Sequence, residues 1–171
     1  MLTACIAALD LDPIKIKLMD VDEGEGWSRL QADAVEIHYR RFLDLNLKHP
    51  DTAIVPNGPV DKFWHCHILD TMKYAEDCTS IFGYFLHHFP YFGMRSLEDR
   101  QNLDNAFEAT KTLLVAEYGE DPGIVRDLGL EADSPRVCSD SPTNCNGTSC
   151  NGQRCGGSGL QDIVRPSFTT A

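Results

Sequence analysis

Positive charge is scarce in this sequence. Its 171 residues hold 15 lysines and arginines against 26 acidic residues, a net charge of −11. Such a surface repels phosphate backbones and anionic headgroups, so neither nucleic acid nor membrane is expected as a partner. Long apolar runs are also missing, and none approaches the ~20 residues that span a bilayer. The start of the chain is mildly apolar, but it has no basic opening and closes on Asp10 and Asp12. It does not read as a secretory signal, and a cytoplasmic location is expected. There is no Gly-x-Ser-x-Gly, no phosphate loop, no dinucleotide fingerprint, no His-Glu-x-x-His and no repeat of domain size.

What is present reads as one domain followed by a tail. Hydrophobic residues make up 42% and charged residues 24%, ordinary values for a globular chain with a core. Composition shifts near Glu131. Residues 132–171 are rich in Ser, Asn, Gly and Cys and nearly free of large apolar groups. Such a segment buries too little surface to offset chain entropy. The expected architecture is therefore a mainly α small helical bundle over residues 1–131, with a disordered Cys/Gly/Ser-rich C-terminal tail over 132–171.

The periodicity predicts a short helix from Asp12 to Met19, then an acidic, glycine-broken turn over 20–26. A longer helix follows over 27–47, with Leu30, Ala34, Ile37 and Arg41 on one stripe and Val35, Phe42 and Leu45 nearby. Pro50 ends it, because the residue before proline avoids helical angles. Asn57 or Gly58 can cap a helix that Pro59 opens. That helix is predicted to continue to Phe82 and stop at Gly83. Ser96 begins a capping-box-like pattern for the last long helix, which carries Leu103, Phe107 and Thr110 and ends at Gly119. Beyond Pro122 a short helix is expected to hold Ile124 and Leu128.

The chemistry concentrates in Asp61-Lys62-Phe63-Trp64-His65-Cys66-His67 and in His87-His88. Four of the six histidines fall within these 24 positions. Imidazoles bind zinc, copper or iron, and a site needs three or four ligands. On a helix Asp61 and His65, four apart, share a face. His65 and His67 lie roughly 200° apart and cannot both reach one ion unless the segment unwinds. His67 falls on the apolar stripe with Val60, Trp64, Tyr74 and Cys78, so it is expected to face the bundle, with His38 or His88 as partners and Asp61 orienting His65. The candidate metal ligands are thus His38, Asp61, His65, His67 and His88. Buried structural histidines and metal-free acid/base work are the competing readings. Tyr84, Phe85, Phe89, Tyr91 and Phe92 are expected either to wall an apolar pocket with His87 and His88 at its edge, or simply to pack onto the bundle.

Seven cysteines are present. Cys5, Cys66 and Cys78 lie in the body, and Cys138, Cys145, Cys150 and Cys155 crowd the tail. The tail spacing is not the Cys-x-x-Cys of a zinc site. Four thiolates on a glycine-rich segment suit a soft metal, a modified peptide or a redox sink, and the competing reading is a disordered tail with incidental cysteines.

Residues 35–93 resemble the glycine-rich domain-containing protein-like family, in its bacterial form. The resemblance rests on Asp61, Trp64, His65, His67, Tyr74, Asp77 and Cys78, with Tyr39 and Phe42 before and His87-His88 after. It implies membership of a family without a settled reaction. The expected function is metal binding, with an iron- or copper-dependent oxidation of a peptide or small molecule as the first reaction class. The alternatives are a metal-handling or thiol-bearing carrier that works through the tail, and a non-catalytic interaction module.

Overall fold

A computed structural model describes residues 1–119, 128–130 and 135. These form six helices and no strand: α1 Ala4–Ala7, α2 Asp12–Met19, α3 Arg29–Lys48, α4 Gly58–Leu69, α5 Thr71–Phe82 and α6 Leu97–Tyr118. The mainly helical architecture is as the periodicity predicts. Apart from Pro135, the expected tail and the segment carrying Ile124 lie outside the described residues, and Leu128 sits in a turn. Among the described residues no helix is long and apolar enough to cross a membrane.

Local chemistry sets the helix ends. Ser28 opens α3 with a capping box, accepting from Gln31 N while Gln31 reaches back to Ser28 N at 2.9 Å, which satisfies two otherwise orphaned groups. Asn57 caps α4 by accepting from Val60 N at 3.0 Å. Ser96 caps α6, and Gly119 stops it in the left-handed region at φ 63°. α3 is the hub and packs against α1, α2, α4 and α6. Its buried face carries Ala32, Val35, Tyr39, Phe42, Leu43 and Leu45. Tyr39 stacks on Phe63 of α4 with ring centroids 4.7 Å apart.

Of the two sets of apolar residues on this helix, Val35, Phe42 and Leu45 are the buried one, while Leu30 is 67% and Ile37 51% exposed. One expectation needs correction: the predicted continuous helix over 59–82 is broken at Asp70. Its backbone (φ −81°, ψ 73°) leaves the helical region, and its carboxylate caps α5 by accepting from Lys73 N at 3.4 Å. The break folds α5 back beside α4. In one straight helix, residues ten apart are separated by about 15 Å. Here Trp64 and Tyr74 are joined by a 2.8 Å hydrogen bond, and His67 and Asp77 by one of 3.0 Å.

Buried polar groups tie the periphery to the hub. Asp44 is fully buried and accepts from Thr3 N and Oγ1 at 3.0 and 2.6 Å, from Lys48 at 2.9 Å and from Tyr118. Burial alone would raise its carboxyl, but these donors outweigh it and hold the group at about 2.

Candidate metal centre

The structure converges three side chains on one point: Asp61 and His65 from α4, and His88 from the segment after α5. Asp61 and His65 are four apart on one helix face. His88 Nε2 lies 3.1 Å from His65 Nε2 and 3.3 Å from Asp61 Oδ1, and His65 Nε2 lies 3.8 Å from Asp61 Oδ2. An ion bound at 2.0–2.1 Å spaces its ligand atoms roughly 2.9 to 3.4 Å apart, from octahedral to tetrahedral geometry. The His65–His88 and His88–Asp61 Oδ1 separations fall in that range, while His65 approaches the other carboxylate oxygen, Oδ2, at 3.8 Å. The donor set therefore fits a cation. An imidazole nitrogen holds one proton or one lone pair. His88 Nε2 thus cannot form two full hydrogen bonds to His65 and Asp61, whereas one ion takes a lone pair from each of the three atoms.

Access differs among the three. Asp61 is buried, the His88 side chain is 14% exposed and that of His65 is 42% exposed. The group opens on a cleft of about 560 Å³, to which Asp61 and His88 contribute together with Trp64, Phe85, Phe89 and Phe92. The aromatic segment after Gly83 thus walls a pocket, as one of its two sequence readings has it. His87 lies on the same cleft and stacks near Phe85 at 5.0 Å.

The position of His88 is braced from behind. Trp64 packs on its ring with centroids 4.5 Å apart. Trp64 Nε1–H donates to Tyr74 Oη at 2.8 Å, and Tyr74 O–H donates to the Leu86 carbonyl at 2.6 Å. Tyr74 is thus the tie between α4, α5 and the strand of chain that delivers His88. Burial pushes the Tyr74 hydroxyl well above its ordinary value, so it stays protonated and keeps donating.

The other two predicted ligands sit elsewhere. His67 is buried as its stripe implies, beside Tyr74, but both ring nitrogens are engaged. Nδ1 lies 2.8 Å from Tyr39 Oη and Nε2 lies 3.0 Å from Asp77 Oδ2. Burial lowers the His67 imidazole below 6.5, against the opposing pull of Asp77. The neutral ring donates through Nε2–H to Asp77, which also accepts from Lys73 at 2.9 Å, and its Nδ1 accepts a hydrogen bond from the Tyr39 hydroxyl. Burial likewise raises Tyr39 far above 10. His38 is buried on α3 and faces a separate small cavity with Val60, Phe107 and Thr110. The structure therefore groups His88 with His65 and not with His67. Asp77 and Tyr39 stand in the sequence motif without a role; the fold-back at Asp70 brings Asp77 to His67, and the packing of α3 on α4 brings Tyr39.

A helical bundle with a candidate His/His/Asp metal centre beside an aromatic cleft is the class these features define. The chain belongs to the UCP032817-like family, whose model matches residues 11–112, from α2 through most of α6 and including all three converging residues. That family has no characterised activity. Neither the curated proteins nor the solved structures contain a match to the chain.

Proposed function

We propose that this protein binds a transition-metal ion through Asp61, His65 and His88 and uses it on a molecule held in the aromatic cleft. The observation that carries the proposal is the 3.1 and 3.3 Å convergence of His65 and Asp61 on His88 Nε2. Two histidines and one carboxylate with open positions are the donor set of non-haem iron(II) oxygenases. Oxidation of a peptide or small molecule at iron, with dioxygen as the oxidant, is accordingly the first reaction class to try; copper and zinc suit the same donors. In this reading Asp61 and the two imidazoles hold the ion, Trp64 and Tyr74 fix His88, and the aromatic walls exclude water from the reacting molecule. The resemblance of residues 35–93 to the glycine-rich domain-containing protein-like family supplies the motif but no reaction.

The test uses the full chain with all four tail cysteines changed to serine, so that only the helical domain offers strong donors. Metal content after loading with iron(II) or zinc(II) and desalting should be one equivalent, lost when His65→Ala and His88→Ala are added while the helical circular dichroism persists. A full chain of this kind that binds no metal would remove the proposal.

A further inference from the structure

Opposite charges line the aromatic cleft. Among the described residues on its wall, Arg95 is the only permanent cation and Asp61 the only acid. In a chain of net charge −11, a guanidinium kept at an apolar cleft is a local reversal of sign. Several contacts hold it there. Arg95 Nη2 donates to Asp99 Oδ1 at 2.5 Å, and Asp99 Oδ2 accepts the backbone N–H of Gly93 at 2.7 Å and of Arg95 at 3.2 Å. Arg95 Cζ lies 5.3 Å from the centre of the Phe89 ring, a cation–π contact. Phe89 in turn meets Tyr91 edge-on at 5.7 Å. The turn that joins these residues depends on Gly93, which has φ +85° and where an added Cβ would lie 2.5 Å from Leu103 Cδ2.

Asp99 does not cancel the guanidinium. One of its oxygens serves two backbone N–H groups, and it stands in the first turn of α6, where the positive end of the helix dipole faces it. Its charge is shared among these groups. The Arg95 side chain is 28% exposed and that of Asp99 only 7%. The guanidinium, and not the carboxylate, is therefore what an occupant of the cleft meets.

Size and charge together specify that occupant. About 560 Å³ is the volume of a pocket that encloses a small organic molecule. Phe85, Phe89 and Phe92 offer it apolar walls. A planar carboxylate matches the fork of a guanidinium. Asp61 repels a second carboxylate where no ion is bound, which leaves Arg95 as the place for an anion. We propose that the cleft takes an aryl-substituted carboxylic acid, with its carboxylate on Arg95 and its ring among Phe85, Phe89 and Phe92. The inference rests on the reading of the cleft as the pocket of the metal centre and names the substrate class. Binding itself makes and breaks no covalent bond.

Titration of the full chain with 3-phenylpropionate and with its uncharged amide tests it, on chelator-treated and zinc-loaded protein followed by nuclear magnetic resonance. At pH 8 free imidazole is neutral, so histidine does not supply the charge. The acid should bind, and the amide at least about tenfold more weakly, as expected for loss of a charge-assisted hydrogen bond. Arg95→Gln should abolish that preference and leave the affinity for the amide unchanged, which a residue that merely staples the turn to α6 would not do. Should Arg95→Gln unfold, Arg95→Lys keeps the charge without the planar fork, and its preference for the acid should fall at least about threefold. Equal binding of acid and amide, no binding of the acid, or a preference that survives Arg95→Gln would overturn the inference. So would a preference lost only in His65→Ala with His88→Ala, since the carboxylate would then sit on the ion. Failure to bind zinc, with the Arg95-dependent preference intact, would instead remove the metal-site reading and support the anion site.

Discussion

Tyr74→Phe isolates one hydroxyl on which the placement of His88 depends. The ring would remain, with its edge-on contacts to Phe85 and His67, each at 5.0 Å between centroids. What goes is the acceptor for Trp64 Nε1–H and the donor to the Leu86 carbonyl. Leaving a buried donor such as Trp64 Nε1–H unmet costs about 1–3 kcal/mol, and a half-buried carbonyl adds about 0.5–1.5 kcal/mol. The expected loss is therefore about 1.5–4.5 kcal/mol, read as a lower urea midpoint with unchanged slope. For a chain of this size that lowers Tm by about 3–18 °C. Because Leu86 is two residues before His88, metal affinity should fall about tenfold or more, in line with other losses of ligand-orienting partners. A double-mutant cycle with Trp64→Phe should return a coupling of about 1 kcal/mol. Tyr74→Phe with stability within about 0.5 kcal/mol of the unchanged chain and unaltered metal affinity would refute the reasoning.

Other consequences follow from the same contacts. Asp44 titrates at about 2 in the fold against 3.8 ordinarily, so the fold's preference for the charged form contributes about 2 kcal/mol that is present above pH 4 and lost as pH falls toward 2; urea titrations between pH 5 and pH 2.5 should show this slope, and Asp44→Asn should flatten it. Asp70→Ala removes the cap of α5 and should cost about 1 kcal/mol by chemical denaturation. Gly93 has φ +85°, and a Cβ there would lie 2.5 Å from Leu103 Cδ2; Gly93→Ala should cost about 2–4 kcal/mol, from left-handed strain plus overpacking, with a matching fall in Tm.

The features legible in the sequence are those with local causes. α2 is bounded as predicted, and Ser96 and Gly119 bracket α6 because caps are written in one or two residues. The pairing of Asp61 with His65 follows from their spacing alone. The break at Asp70 was hidden, since the apolar stripe from Val60 to Ile81 runs through it without interruption; only the capping preference of aspartate marks it. The periodicity leaves open which face of α3 is buried, because a mixed helix offers two stripes and its neighbours choose Val35, Phe42 and Leu45 over Leu30 and Ile37. α1, four residues long, has too little periodicity to read. His88 was a candidate partner, but its delivery to His65 depends on how the segment after Gly83 returns across α4, which Tyr74 and Trp64 fix from a distance. His67 looked like a ligand because it is buried; its partners Tyr39 and Asp77 come from other helices.

The most direct test of the account is anomalous diffraction at the cobalt edge from crystals of the cobalt-loaded full chain. The account predicts a peak within coordination distance of the Asp61 carboxylate, His65 Nε2 and His88 Nε2, with His67 still bonded to Tyr39 and Asp77. A peak at His67 or His38, or an ion held only by the tail cysteines with this triangle empty, would contradict it.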